Sequence, residues 1–89
     1  MRAVISVVGR DRVGILANVS RTCAESNVNI IDVTQSVLQE MFVMVMLVDI
    51  TDMDVDFPIL QQKLHDLGEQ IGVVIHVMHE DIFNSMHRI

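Results

Sequence analysis

The chain has 89 residues, 51% hydrophobic and only 3% aromatic, with seven Met, three Phe, no Trp or Tyr, and a net charge of −6. That length has material for one compact domain, since chains this short bury only about 60–65% of their unfolded surface, and the apolar content excludes disorder. A charge of −6 with no Lys/Arg cluster is poor material for replacing counterions on phosphates, so no direct nucleic-acid contact is expected.

The longest uninterrupted apolar run covers residues 41–48, far short of the ~20 residues a membrane-spanning helix needs. The N-terminal residues Met1-Arg2-Ala3-Val4 do not open an apolar leader, so a cytoplasmic protein without a membrane partner is expected. Cys23, the single cysteine, can close neither an internal disulfide nor a CxxC clip and is expected in the core.

Residues 2–8 alternate Ala3, Ile5 and Val7 against Arg2, Val4, Ser6 and Val8, which predicts a strand ending at Gly9. After the polar turn Arg10-Asp11-Arg12, residues 13–26 predict a helix with Leu16, Val19 and Cys23 inward, Ala17 and Ala24 beside them, and Arg21 and Glu25 opposite. Asn27 suits the cap. Residues 28–38 alternate again, with Ile31, Val33 and Val37 on one side and Asp32, Thr34 and Ser36 on the other. Leu38-Gln39-Glu40-Met41 is the break of a hairpin into a third strand over residues 41–50, apolar at nearly every position and therefore central. Asp56 as N-cap and Pro58 in the first turn open a second helix with Leu60, Leu64, Leu67 and Ile71 on its inner face; Gly72, or Gly68 earlier, ends it. Residues 73–78 form the fourth strand. Residues 81–89 predict a short closing helix with Ile82, Phe83, Met86 and Ile89 on one stripe.

This order is βαβ twice, and it predicts an α+β, ferredoxin-like βαββαβ sandwich as a single domain over residues 1–89, with a core over 1–80 and a helical tail over 81–89. Four antiparallel strands, the first and third central, carry both long helices on one face. The other face, with Val4, Val8, Met44 and Met46 or their alternates, is apolar enough to predict self-association as a homodimer or higher homo-oligomer.

Gly9 and Gly14 have the two-glycine spacing of a phosphate loop, but Ile15 and Leu16 stand where Lys and Ser/Thr would be needed. What survives is a helix start whose N–H groups can receive a carboxylate; the competing reading is that Gly14 only lets the helix pack closely. His76 and His79 are placed by strand alternation on opposite faces, so no metal site is expected, the one remaining route being convergence of His79, Glu80 and His87. Asp52, Asp54 and Asp56 lack the Gly and Glu of a calcium loop, and Met41, Met44 and Met46 read as interface filler rather than ligands. No catalytic constellation and no cofactor motif stands out, which favours a non-enzyme. An acylphosphatase-like arrangement of Arg10 or Arg12 with Asn29 is a third reading.

The run Val8-Gly9-Arg10-Asp11-Arg12-Val13-Gly14-Ile15-Leu16, followed by Asn27-Val28-Asn29-Ile30-Ile31-Asp32, resembles the ACT domain, a small regulatory amino-acid-binding module. The closing residues 80–89 are similar to the tail of small stand-alone bacterial ACT proteins related to the repressor of the glycine cleavage system. The resemblance implies a non-catalytic, allosteric module whose dimers join side by side into one sheet. It also implies a small effector, usually an amino acid, at the subunit interface, and signalling to a partner protein. It points to Asp11, Arg12, Gly14, Ile15, Leu16, Asn29 and Ile30 as the effector site. Serine-binding members present an Asn where this chain has Asp11 and a His where it has Gly9, whereas Asn29 and Gly14 match; the Asp11 carboxylate favours a ligand that offers its ammonium group there. The alternative is an interaction module without a small ligand, docking a partner through Ile82, Phe83 and Met86 of the tail.

Overall fold

The structure, a computed structural model, describes residues 1–86. The element order is β1 (Arg2–Arg10), α1 (Ile15–Glu25), β2 (Asn29–Leu38), β3 (Met41–Asp49), α2 (Phe57–Ile71), β4 (Val73–His79) and α3 (Glu80–Met86). The strands form one antiparallel sheet in the order β2-β3-β1-β4, so the expected βαββαβ sandwich is the observed fold, with β1 and β3 central.

Register decides which apolar residues form the core. Ile5 stands between Met46 and Val77, and Val7 between Met44 and Ile75, all facing α1 and α2. Met44 and Met46 are therefore fully buried, and the alternates Val43, Val45 and Leu47 join Val4 and Val8 on the other face. Of the two sets left open for this face, Met44 and Met46 are excluded and their alternates take it: in a strand apolar at nearly every position, only the pairing partners choose the inward parity.

α1 starts two residues later than the apolar pattern predicts. Gly14 holds a left-handed φ of 92° as the N-cap, leaving Val13 in solvent. The core stripe is then Ile15, Val19 and Cys23, one residue in each successive turn, and Leu16 stands 36% exposed rather than inward. Ser26 is buried at the helix end, and Asn27, at φ 59°, makes the left-handed turn out of it. In β2 a bulge between Ile30 and Asp32 resets the alternation. Ile30 and Val33 pack on the core while Ile31 turns outward and Val37 is exposed, correcting the predicted inward set.

α2 runs to Ile71, and Gly72, at φ 80°, closes it with its N–H on the Gly68 carbonyl at 2.8 Å. Leu60 and Leu64 are fully buried, each worth about 1.5–3 kcal/mol of transfer free energy; Leu67 and Ile71 are half-buried. α3 begins at Glu80, held to Arg2 by an ion pair of 2.8 Å, and packs on β1 and β4. The predicted apolar stripe is split. Phe83 is half-buried whereas Ile82 and Met86 are exposed, and Ile89, like His87, lies outside the described residues. No helix among the described residues is long and apolar enough to cross a membrane.

Candidate functional site

The loop between β1 and α1 is shaped by close backbone approaches. A side chain at Gly9 would stand 2.7 Å from Val73 Cγ1, so this glycine lets β4 lie against β1. At Gly14 the left-handed turn aims the helix start outward, and its carbonyl is doubly held, by the Asn18 backbone N–H at 3.0 Å and by Asn18 Nδ2 at 2.8 Å. Arg21 in turn donates to Asn18 Oδ1 at 3.2 Å. A helix leaves its first N–H groups without intrahelical partners. Here no side chain caps them and the first turn carries no acid, so the positive end of α1 is open to an anion.

The predicted residues of this half divide into three kinds. Asp11 is exposed, and its N–H donates to the Glu40 carbonyl at 2.9 Å, tying the loop to the β2–β3 hairpin. Ile15 is 2% exposed, so its side chain belongs to the core and only its backbone N–H faces the loop; Leu16 presents its side chain beside it. Arg12 turns away, its guanidinium about 3.6 Å from where a Gly72 Cβ would stand, at the negative end of α2. Grooves of about 310 and 320 Å³ flank the loop, lined by Gly9, Arg10, Asp11 and residues 38–41. Glu40, whose carboxylate lies 3.7 Å from Arg10, carried no signal in the sequence, because only hairpin pairing brings it to the loop. Asn18, four residues after Gly14, was readable as a helix-start partner and was missed.

Asn29 lies elsewhere. It opens β2 across from Asp49 and lines a hollow of about 440 Å³ with Ala24, Asn27, Val28, Asp49 and Asp52. The Thr51 hydroxyl and the Thr51 N–H, at 2.9 Å, hold the Asp49 carboxyl below its usual range, with the Met1 ammonium at 3.9 Å and Arg2 adding to the effect. Ile30, next in the strand, is half-buried.

The two halves do not meet within one chain. Arg2 pairs with Asp49 at the Asn29 end of the sheet and Arg10 pairs with Met41 at the other. Those eight strand steps span about 26 Å. Arg10 and Asn29 stand at these opposite ends of the sheet, which removes the acylphosphatase-like pairing of Arg10 with Asn29 as a single-chain site. His76 and His79 point to opposite faces, His79 stacking on Phe57 with centroids 4.0 Å apart, and Glu80 is engaged by Arg2.

Residues 2–78 match the ACT domain family. The chain belongs to that family. This ACT domain is similar to the UPF0237 protein of Methanocaldococcus jannaschii, at 50% identity over 88 residues, 99% of this chain and 98% of the relative. Among solved structures, an ACT domain protein from Streptococcus pneumoniae is similar at 40% identity with a TM-score of 0.82, over 93% of each chain. A protein assigned as a glycine cleavage system transcriptional repressor is similar at 28% identity with a TM-score of 0.75, over 85% of this chain and 43% of its own. ACT domains are regulatory ligand-binding modules, and the whole-length match places this chain with the UPF0237 members.

Proposed function

We propose that this ACT domain binds a small amino-acid-like effector between two copies of the chain and passes the bound state to a partner protein. The observation that carries the reading is the 26 Å separation of the half-sites along β2, an edge strand bonded on one side only, to β3. Two such edges paired antiparallel about a two-fold axis set the first residue of one strand beside the last of the other. Asn29 of one copy then stands at the Leu38 end of its neighbour, next to the neighbour's loop. An effector there meets complementary groups. The uncapped N–H groups of Ile15 and Leu16 receive its carboxylate, Asp11 receives its ammonium group, and the Asn29 amide offers one donor group and one acceptor. Leu16 and Ile30 supply apolar walls, Gly14 admits the close approach, and Arg12 steadies the loop from the α2 side.

Because Asp11 is bonded to Glu40, an effector that grips the loop also fixes the hairpin, and only its differential affinity for the two arrangements can shift their populations. Calorimetric titration of the common amino acids tests this. One or a few give heat and raise Tm, by an amount set by about 2.7 kcal/mol at a hundredfold excess over Kd. Asp11→Asn weakens binding roughly 10–100-fold, the worth of a hydrogen bond to a charged group. Absence of heat with every amino acid, with Tm unchanged, would overturn the reading.

A further inference from the structure

The β2–β3 hairpin reverses in two residues. Leu38 and Met41 are paired, so Gln39 and Glu40 alone make the turn, and Gln39 takes a left-handed φ of 57° to do it. Two-residue hairpin turns need positive φ at their first central position, and Gly, Asn and Asp are the residues that accept it readily. Asn27, the other side-chain-bearing residue with positive φ among those described, is of that kind. Gln39 is not. Its Cβ crowds the backbone there, at a cost of the same order as the net worth of one or two hydrogen bonds.

An unfavourable conformation persists where its surroundings hold it, and here the hold comes from the effector loop. The carbonyl of Glu40, the residue after Gln39, accepts the Asp11 N–H at 2.9 Å. The Arg10 guanidinium lies 3.7 Å from the Glu40 carboxylate with both side chains largely in solvent, and such a pair adds little. Leu38 is 73% exposed and Met41 48%, so opening their pair uncovers no core side chain. The hairpin then closes one pair earlier, at Val37 and Phe42, around a four-residue loop. Loops of that length are most often built around a type I turn, whose central residues have negative φ. The engaged tip therefore has one or two hydrogen bonds more, and the released tip is rid of the left-handed Gln39. These terms are of similar size, so the two arrangements lie close in free energy. Charge supplies the bias. The groove of about 320 Å³ beside the Asp11–Glu40 bond is lined by Arg10, Asp11, Gln39 and Glu40, one cation with two carboxylates, and an effector ammonium on Asp11 adds the second cation.

We propose that the Gln39–Glu40 tip is a two-position strap on the effector loop, near equal population in the free protein. It is engaged when Glu40 holds the Asp11 N–H and released when the last hairpin pair opens, and an effector ammonium on Asp11 selects the engaged position. That selection rests on the effector reading; the strap itself does not.

Amide hydrogen exchange, followed by NMR on the ligand-free full chain, tests the strap in the wild type, Gln39→Gly and Gln39→Val. Gly takes positive φ freely, and a β-branched residue takes it least of all. Protection of the Asp11 N–H is expected to be about tenfold higher in Gln39→Gly than in Gln39→Val, with the wild type between them. In all three it stays far below that of Ile5, whose strand is paired on both sides. A wild-type Asp11 as slow as Ile5, or equal protection in the three proteins, overturns the proposal. Each common amino acid is then titrated singly into the same proteins. One that binds the wild type binds Gln39→Gly at most about twofold tighter and Gln39→Val about fivefold weaker, the ratios set by a half-populated competent state. Equal affinity in all three overturns the selection step. Heat from none of the amino acids contradicts the effector reading instead, and the exchange result still decides the strap.

Discussion

Gly68→Ala is the substitution for which general rules and this fold disagree on the sign. In an exposed helix interior the change stabilises by about 1 kcal/mol, because Gly is the costlier residue there. Here the new Cβ would stand 2.6 Å from the Val73 carbonyl oxygen, a backbone atom of the adjoining strand. α2 must then retreat from β4 by most of an ångström, and overpacking of that kind costs about 1–3 kcal/mol or more. The clash wins, with a net loss of up to about 2 kcal/mol and a Tm lower by up to roughly 15 °C in a chain of this size. Gly9→Ala meets the same residue differently, through Val73 Cγ1 at 2.7 Å. Val73→Ala removes that methyl and leaves the carbonyl, so it relieves part of the Gly9→Ala cost and none of the Gly68→Ala cost. Urea unfolding of the single and double variants gives the two coupling energies. A Gly68→Ala protein as stable as the wild type or more so, or equal rescue of both glycine variants by Val73→Ala, would refute the reasoning.

Other outcomes follow from the same structure. Gly14→Ala forces a side chain into a φ of 92° and lowers stability by about 1–2 kcal/mol, read by thermal unfolding. Burial pushes the Cys23 thiol up to about 11 from 9.0. The folded state keeps its proton where the unfolded thiol has lost it, so this contribution is fully present below pH 9 and is lost as pH rises towards 11. Two pH units at 1.36 kcal/mol give a decline of about 2.7 kcal/mol between pH 9 and 11, absent from Cys23→Ala when the two unfolding curves are compared. The Asp49 carboxyl, held low chiefly by Thr51, has the opposite sign: its contribution is present above 3.8 and fades as pH falls through its lowered folded-state pKa. Carboxyl-carbon NMR should give a midpoint below 3.8 for Asp49 that moves up in Thr51→Val.

Much of the fold was readable because Gly, Pro and polar breaks punctuate seven distinct periodic runs. Asp56 with Pro58 marks the start of α2, and the break at residues 38–41 marks the hairpin. The errors share a cause. Met44 and Val43, Leu16 and Ile15, and Ile31 and Ile30 are neighbouring apolar pairs, where composition is satisfied by either residue facing inward. Cross-strand register, the left-handed Gly14 and the bulge after Ile30 break each tie, and none of them leaves a periodic signature. At the candidate site, the glycine turn and the open helix start were legible, but the placing of the loop after Arg10 and of Asn29 at opposite ends of the sheet was not, since that depends on which end each strand presents.

The central claim is that an effector site is completed by residues of two copies, and a mixing titration tests it most directly. Asp11→Ala and Asn29→Ala are each expected to bind effector weakly or not at all, because every site in either homodimer lacks one half. When equal amounts are mixed and allowed to exchange subunits, half of the dimers pair one variant with the other, and each of those holds one intact site. The mixture is expected to recover about a quarter of the wild-type binding stoichiometry, at wild-type affinity, in calorimetry. A mixture that stays silent after subunit exchange has been verified by mass spectrometry would contradict it.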